Sequence, residues 1–99
     1  MPVTMNPEIT GTRNGYWMPT IVVDQGVSFN RDDLLQKFKE NNIDGRVFFW
    51  PLSMLPMFED RPGNKVSYGL YQRAVNLPSY HDLSEAEQDR VIDMVRACL

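Results

Sequence analysis

His81 and Cys98 are the only histidine and the only cysteine in the chain, and this narrows the common routes to catalysis at once. A Cys–His pair could generate a thiolate nucleophile, the imidazole taking the thiol proton. Cys98, however, is next to the last residue and falls on or beside an apolar helical stripe, where a thiol packs rather than reacts. His81 stands near a loop and a helix start, the setting of a surface or capping residue. One histidine and one cysteine far apart do not make up a zinc ligand set. Glu85, Glu87, Asp89 and Asp93 gather in one segment, but such residues complement a helix N-terminus and form a solvated face. No G-x-G-x-x-G, P-loop or G-x-S-x-G occurs, and Gly63 lies in a polar turn that makes no phosphate cradle. These residues assemble neither a catalytic set nor a metal site within the chain.

Ninety-nine residues with a net charge of −3 make one domain, with room for one core but not for a deep cofactor cleft as well. Apolar and charged fractions are those of an ordinary globular protein. No basic cluster gathers, as a nucleic-acid surface requires. The longest apolar run is far short of a membrane span and is broken by proline. The N-terminus lacks the basic-then-apolar order of a secretion signal. A lone cysteine suits a reducing compartment. The expectation is a cytoplasmic protein that binds neither nucleic acid nor membrane.

The elements that must position any site read clearly in places. Residues 1–14 are polar, with Pro2, Pro7 and Gly11, and read as a flexible lead-in to a single domain over 15–99. Tyr16 to Val23 is rich in aromatic and β-branched residues and predicts a strand, closed by the turn Asp24-Gln25-Gly26. Asn30 is a good N-cap, with Asp33 in a capping-box-like position and Phe29 and Leu34 placed as a hydrophobic staple. The helix that follows has Leu34, Leu35 and Phe38 as its buried stripe and ends at Asn41-Asn42. A short helix is expected over Ser67 to Arg73 and a brief strand over Ala74 to Leu77, closed by Pro78. Ser84-Glu85-Ala86-Glu87 is a strict capping box that opens a last helix with Val91, Ile92, Val95 and Leu99 on one face. This order predicts an α+β fold: a small, mostly antiparallel sheet of about three strands with helices on one face.

Residues 47 to 58 carry no charge and are almost wholly apolar, yet contain Pro51 and Pro56. Neither a helix nor a central strand accepts that spacing, because each proline lacks an N–H and fixes its own φ. The run reads as a short strand, Val47 to Phe49, that breaks at Pro51 into an apolar loop. Such a loop must lie against something. Trp50, Met54, Met57 and Phe58 are therefore the candidate interface residues, and Trp50, Met54 and Met57 should be more exposed or mobile than their apolarity warrants.

Several segments taken together resemble a known family. They are Asn14-Gly15-Tyr16-Trp17-Met18-Pro19, Arg31-Asp32-Asp33-Leu34-Leu35, Asn42-Ile43-Asp44-Gly45-Arg46 leading to Phe48-Phe49-Trp50-Pro51-Leu52-Ser53, Asn76-Leu77-Pro78-Ser79, and Leu83-Ser84-Glu85-Ala86-Glu87-Gln88. In order and spacing they resemble the C-terminal small domain of the DegT/DnrJ/EryC1/StrS sugar aminotransferases, fold-type I pyridoxal-phosphate (PLP) enzymes that aminate nucleotide-linked keto-sugars for surface polysaccharides. The Phe-Phe-Trp-Pro version is most similar to the perosamine-synthase-like branch. The resemblance implies a large PLP-binding domain and a dimer mate as partners and a nucleotide-sugar as substrate. It also implies that the cofactor lysine and its acidic partner lie in the large domain, so that this chain holds no cofactor and does not transaminate alone. Lys37, Lys39 and Lys65 are the only lysines, and none matches the family's catalytic context. Substrate contacts are expected from Arg46, whose guanidinium suits a diphosphate, from Tyr16 and Trp17, and from Ser53. Ser53 stands where many relatives have histidine and marks a subtype. The competing expectation is a free-standing interaction module that docks on another protein through its apolar loop.

Overall fold

The computed structural model describes residues 1–99. Four strands form one sheet: β1 (Val3–Met5), β2 (Thr20–Val23), β3 (Arg46–Val47) and β4 (Ala74–Asn76). Their order is β1-β2-β4-β3, and every neighbouring pair is antiparallel. Three helices complete the fold: α1 (Arg31–Glu40), α2 (Lys65–Arg73) and α3 (Glu85–Ala97). This is the expected α+β class, with one strand more than expected. The extra strand is β1, inside the segment read as a lead-in. It pairs with β2 from Val3↔Val23 to Met5↔Ile21. Three residues are too few to show an alternating pattern, so only the pairing partner reveals the strand.

The register divides the sheet into two faces. Val75 stands opposite both Ile21 and Val47, and successive strand residues alternate in direction. Ile21 and Val75 join Leu34 and Phe38 of α1 and Val91 and Val95 of α3 in one buried cluster. On the other face Asn76 stands opposite both Thr20 and Arg46. Asn76 is buried, and its amide is satisfied: Thr20 Oγ1 donates to Asn76 Oδ1 at 2.8 Å, and Asn76 Nδ2 donates to the Val47 carbonyl at 3.4 Å. A buried amide without those partners would be costly.

Local chemistry sets the helix ends. Asn30 Oδ1 accepts from the N–H of Asp32 and Asp33, at 2.9 and 3.3 Å, and so caps α1. At the far end Asn42 takes a left-handed φ of 57°, and the Ile43 N–H returns to the Phe38 carbonyl at 2.8 Å. Gly45 follows, and a Cβ there would overlap the fully buried Phe38 ring. The capping box at Ser84 forms in both directions.

Five expectations need correction. The strand read from Tyr16 begins only at Thr20, because Tyr16 sits at φ 49°, outside the strand region. The strand read over Val47 to Phe49 is Arg46–Val47, and the chain leaves the sheet before the aromatics. Helix α2 starts at Lys65, ahead of Ser67, and the strand after it stops at Asn76, short of Leu77. On α3 it is Met94 that packs beside Val91 and Val95, while Ile92 is exposed. The stripe follows i, i+3, i+4, and Ile92 is rotated off it.

Gly45→Ala lowers stability by roughly 1–3 kcal/mol through overpacking against Phe38, read as a lower urea midpoint at unchanged slope. Ser84→Ala costs about 1 kcal/mol by removing the cap. The Ser84 backbone N–H, then its hydroxyl, then Tyr80 hold the Glu87 carboxyl below the ordinary carboxylate range. A lowered folded value contributes stability above the unfolded value and loses it as pH falls through the folded one. Glu87→Gln therefore flattens the loss of stability as pH falls through and below the ordinary glutamate range, measured by urea titration at each pH.

Candidate functional site

The polar face of the sheet opens at the end of β3. Arg46 stands there in register with Asn76, its side chain largely exposed and its Nη2 3.3 Å from Asp44 Oδ2. An exposed pair of this kind contributes little, so the guanidinium can exchange Asp44 for a better-matched anion. Trp17, Asp44, Arg46, Asn76 and Pro78 line a hollow of about 280 Å³ beside it. Trp17 is 77% exposed and stacks on Phe49, with ring centroids 6.2 Å apart and planes 12° apart. Phe48 lies against Phe49 at 5.7 Å. Leaving the sheet after Val47 is what puts these rings at the surface. An arginine next to an exposed stacked pair suits a ligand that joins an anionic group to a flat or apolar ring face.

The apolar run continues from this rim. Pro51 is buried and anchors it, a 3₁₀ turn follows at Leu52–Met54, and Leu52, Met57 and Phe58 stand outward. Trp50 and Met57 are exposed as expected, at 47% and 71%, whereas Met54 is half-buried. Arg31 holds the start of the run. Its guanidinium lies 5.6 Å from the Trp50 ring centre and 5.5 Å from that of Tyr71, and the two rings are themselves 5.1 Å apart. Arg31 Nη1 donates to the Tyr71 carbonyl at 2.8 Å. The first residue of α1 thus ties the end of α2 to the aromatic loop. Sequence reasoning missed this contact, because Arg31 and Tyr71 are 40 residues apart and no local pattern links them.

The remaining candidates scatter. Tyr16 is exposed beside Trp17 but does not line the hollow; its hydroxyl lies 3.4 Å from Glu8 Oε2. Ser53 lies elsewhere, with its Oγ 2.7 Å from the Tyr68 hydroxyl, which also accepts from the Arg61 N–H. That arrangement fastens the apolar loop to α2. His81 is a surface residue paired with Asp82 at 3.1 Å, and Cys98 packs at the edge of the core. Lys37, Lys39 and Lys65 are all exposed. A Schiff-base lysine needs an amine enclosed away from solvent, and none of these three is enclosed, so they do not fit a PLP site.

Arg31→Ala destabilises the chain by roughly 1–3 kcal/mol, the combined loss of a cation–π contact and a charged hydrogen bond. Arg31→Lys recovers only part of this, because an ammonium lacks the planar fork. In a Trp17→Phe background the emission of Trp50 reports the loss as a red shift.

A family model described as the DegT/DnrJ/EryC1/StrS aminotransferase family matches residues 1–96. The chain is 29% identical to a GDP-perosamine synthase of Vibrio cholerae over 97% of its own length and 27% of that protein. It is 30% identical to a GDP-perosamine synthase of Caulobacter vibrioides over 85% of its length and 23% of that protein. A DegT DnrJ EryC1 StrS aminotransferase from Brucella abortus superimposes with a TM-score of 0.75 and 26% identity, covering 97% of this chain and 26% of that one. The chain thus spans about a quarter of the length of the relatives it matches. It belongs to the DegT/DnrJ/EryC1/StrS aminotransferase family.

Proposed function

We propose that the chain is the C-terminal domain of a PLP-dependent nucleotide-sugar aminotransferase of surface-polysaccharide synthesis. It covers the substrate cleft of a larger, lysine-bearing domain near a dimer mate and does not transaminate alone. One observation carries this reading. A chain matched over nearly its whole length to a quarter of its relatives leaves Trp17, Phe49, Trp50, Leu52, Met57 and Phe58 exposed along one stretch. Apolar surface of that extent marks a site that another surface or a ligand covers. Trp50, Met54, Met57 and Phe58 meet the larger domain, and Arg46 with Trp17 faces the nucleotide-sugar. The bound cofactor supplies the amino-group transfer chemistry. This chain supplies a cation for the diphosphate and ring faces that exclude water. No helix is long and apolar enough to cross a membrane, which suits an enzyme of the cytoplasm acting on activated sugars.

The first test is a titration of the 99-residue chain with PLP and a nucleotide keto-sugar, followed by visible absorbance and product formation. No turnover is expected. Saturable PLP binding with turnover sinks the proposal. The second is calorimetric titration with GDP, where Arg46→Ala should weaken binding by about 1.5–3 kcal/mol, the range for a charged hydrogen bond. An unchanged affinity leaves the alternative: a free-standing module that docks on another protein through the same apolar loop.

A further inference from the structure

Residues 6–18 leave the sheet and return to it around one side chain. Beyond the last β1–β2 pair, Met5↔Ile21, Asn6 takes over the ladder with its amide. Its Nδ2 donates to the Met18 carbonyl at 2.8 Å, and its Oδ1 accepts from the Thr20 N–H at 2.9 Å. Asn6 thereby mimics a paired strand residue and closes the neck of the loop. Inside the loop Asn14 Nδ2 donates to the Asn6 carbonyl at 3.2 Å, and the Asn14 N–H reaches Glu8 Oε2 at 2.6 Å. Asn14 Oδ1 accepts from the Tyr16 N–H at 2.7 Å and holds Tyr16 in its left-handed conformation. Such a conformation costs free energy in a tyrosine and persists only where the surroundings impose it. Trp17 follows directly and lies flat over Phe49.

We propose that Asn6 is a positioning residue for ligand recognition: by closing the 6–18 loop it sets the Trp17 ring on Phe49 beside Arg46. The reading rests on the ligand assignment proposed above and adds to it the source of the site's shape. The ring platform is imposed by a preformed loop whose order comes from Asn6, Glu8 and Asn14. A ligand with a flat or apolar ring face and an anionic group meets a surface that needs little ordering on binding.

The test uses the 99-residue chain with Trp50→Phe, which leaves Trp17 as its one tryptophan, and GDP as probe. In Asn6→Ala the fluorescence anisotropy of Trp17 falls, its acrylamide quenching rises and GDP binds about tenfold more weakly. Asn6→Asp keeps the acceptor for Thr20 but cannot donate to Met18, and falls between. Should Asn6→Ala unfold, Asn14→Ala releases Tyr16 without touching the sheet and shifts both readouts in the same direction. Unchanged anisotropy in Asn14→Ala and in a folded Asn6→Ala overturns the proposal. So does a loosened Trp17 with unchanged GDP affinity while Arg46→Ala still weakens it. If the parent takes no GDP, or Arg46→Ala leaves its affinity unchanged, the ligand assignment itself fails and the positioning role falls with it.

Discussion

The seating of the Phe38 ring against the backbone of Gly45 is the contact on which the rest of the arrangement depends. Phe38 is wholly buried, and no side chain larger than hydrogen fits opposite it. The ring anchors α1 to the core with Leu34, while Gly45 brings the returning chain close enough to enter β3 one residue later. Asn42 at φ 57° makes the reversal possible without a second glycine. With the chain turned there, Arg46 comes into register with Asn76, and the aromatics after Val47 emerge at the sheet's end. Moving that contact would move the whole β3 edge of the sheet.

A sheet of strands this short has little interior, and its pleat assigns the work. One face, through Ile21 and Val75, is closed by α1 and α3. The other carries Thr20, Asn76 and Arg46, a polar row whose one buried member has a partner for both its amide oxygen and its amide nitrogen. Asn76 spends its hydrogen bonds on keeping β2, β4 and β3 aligned at their ends. Arg46, one strand over, has only an exposed carboxylate for company. The same row thus grades from structural to accessible within one strand spacing.

Two arginines show how position decides role. Arg31 is nearly enclosed, its guanidinium against two touching rings and bonded to a carbonyl, so it fixes Trp50 and α2 together. Arg46 is exposed and weakly paired. Two polar knots, one at Asn6 and one at Ser53 and Tyr68, hold the exposed apolar stretch from either side. Each knot fixes backbone or an element next to the exposed rings, so the rings are carried on ordered chain.

The sequence alone determined what depends on neighbours within a few positions. Asn30 and Ser84 declare their helices because a cap needs only an acceptor placed before the first-turn N–H groups. Leu34 and Phe38 declare a buried stripe by helical period. Pro51 and Pro56 forbid regular structure through the aromatic run. The order of five segments was enough to point to the family. Tertiary structure decided what depends on distant pairing. Val3–Met5 is a strand only because β2 lies beside it, and Ile92 is exposed because the stripe of α3 runs through Met94. Arg31 reaches Tyr71, and Asn6 reaches Met18 and Thr20, across separations over which no local periodicity operates. Ser53 turned toward Tyr68 and away from the hollow for the same reason: a hydroxyl's partner is set by the packing of whole elements, which a reading by spacing does not contain.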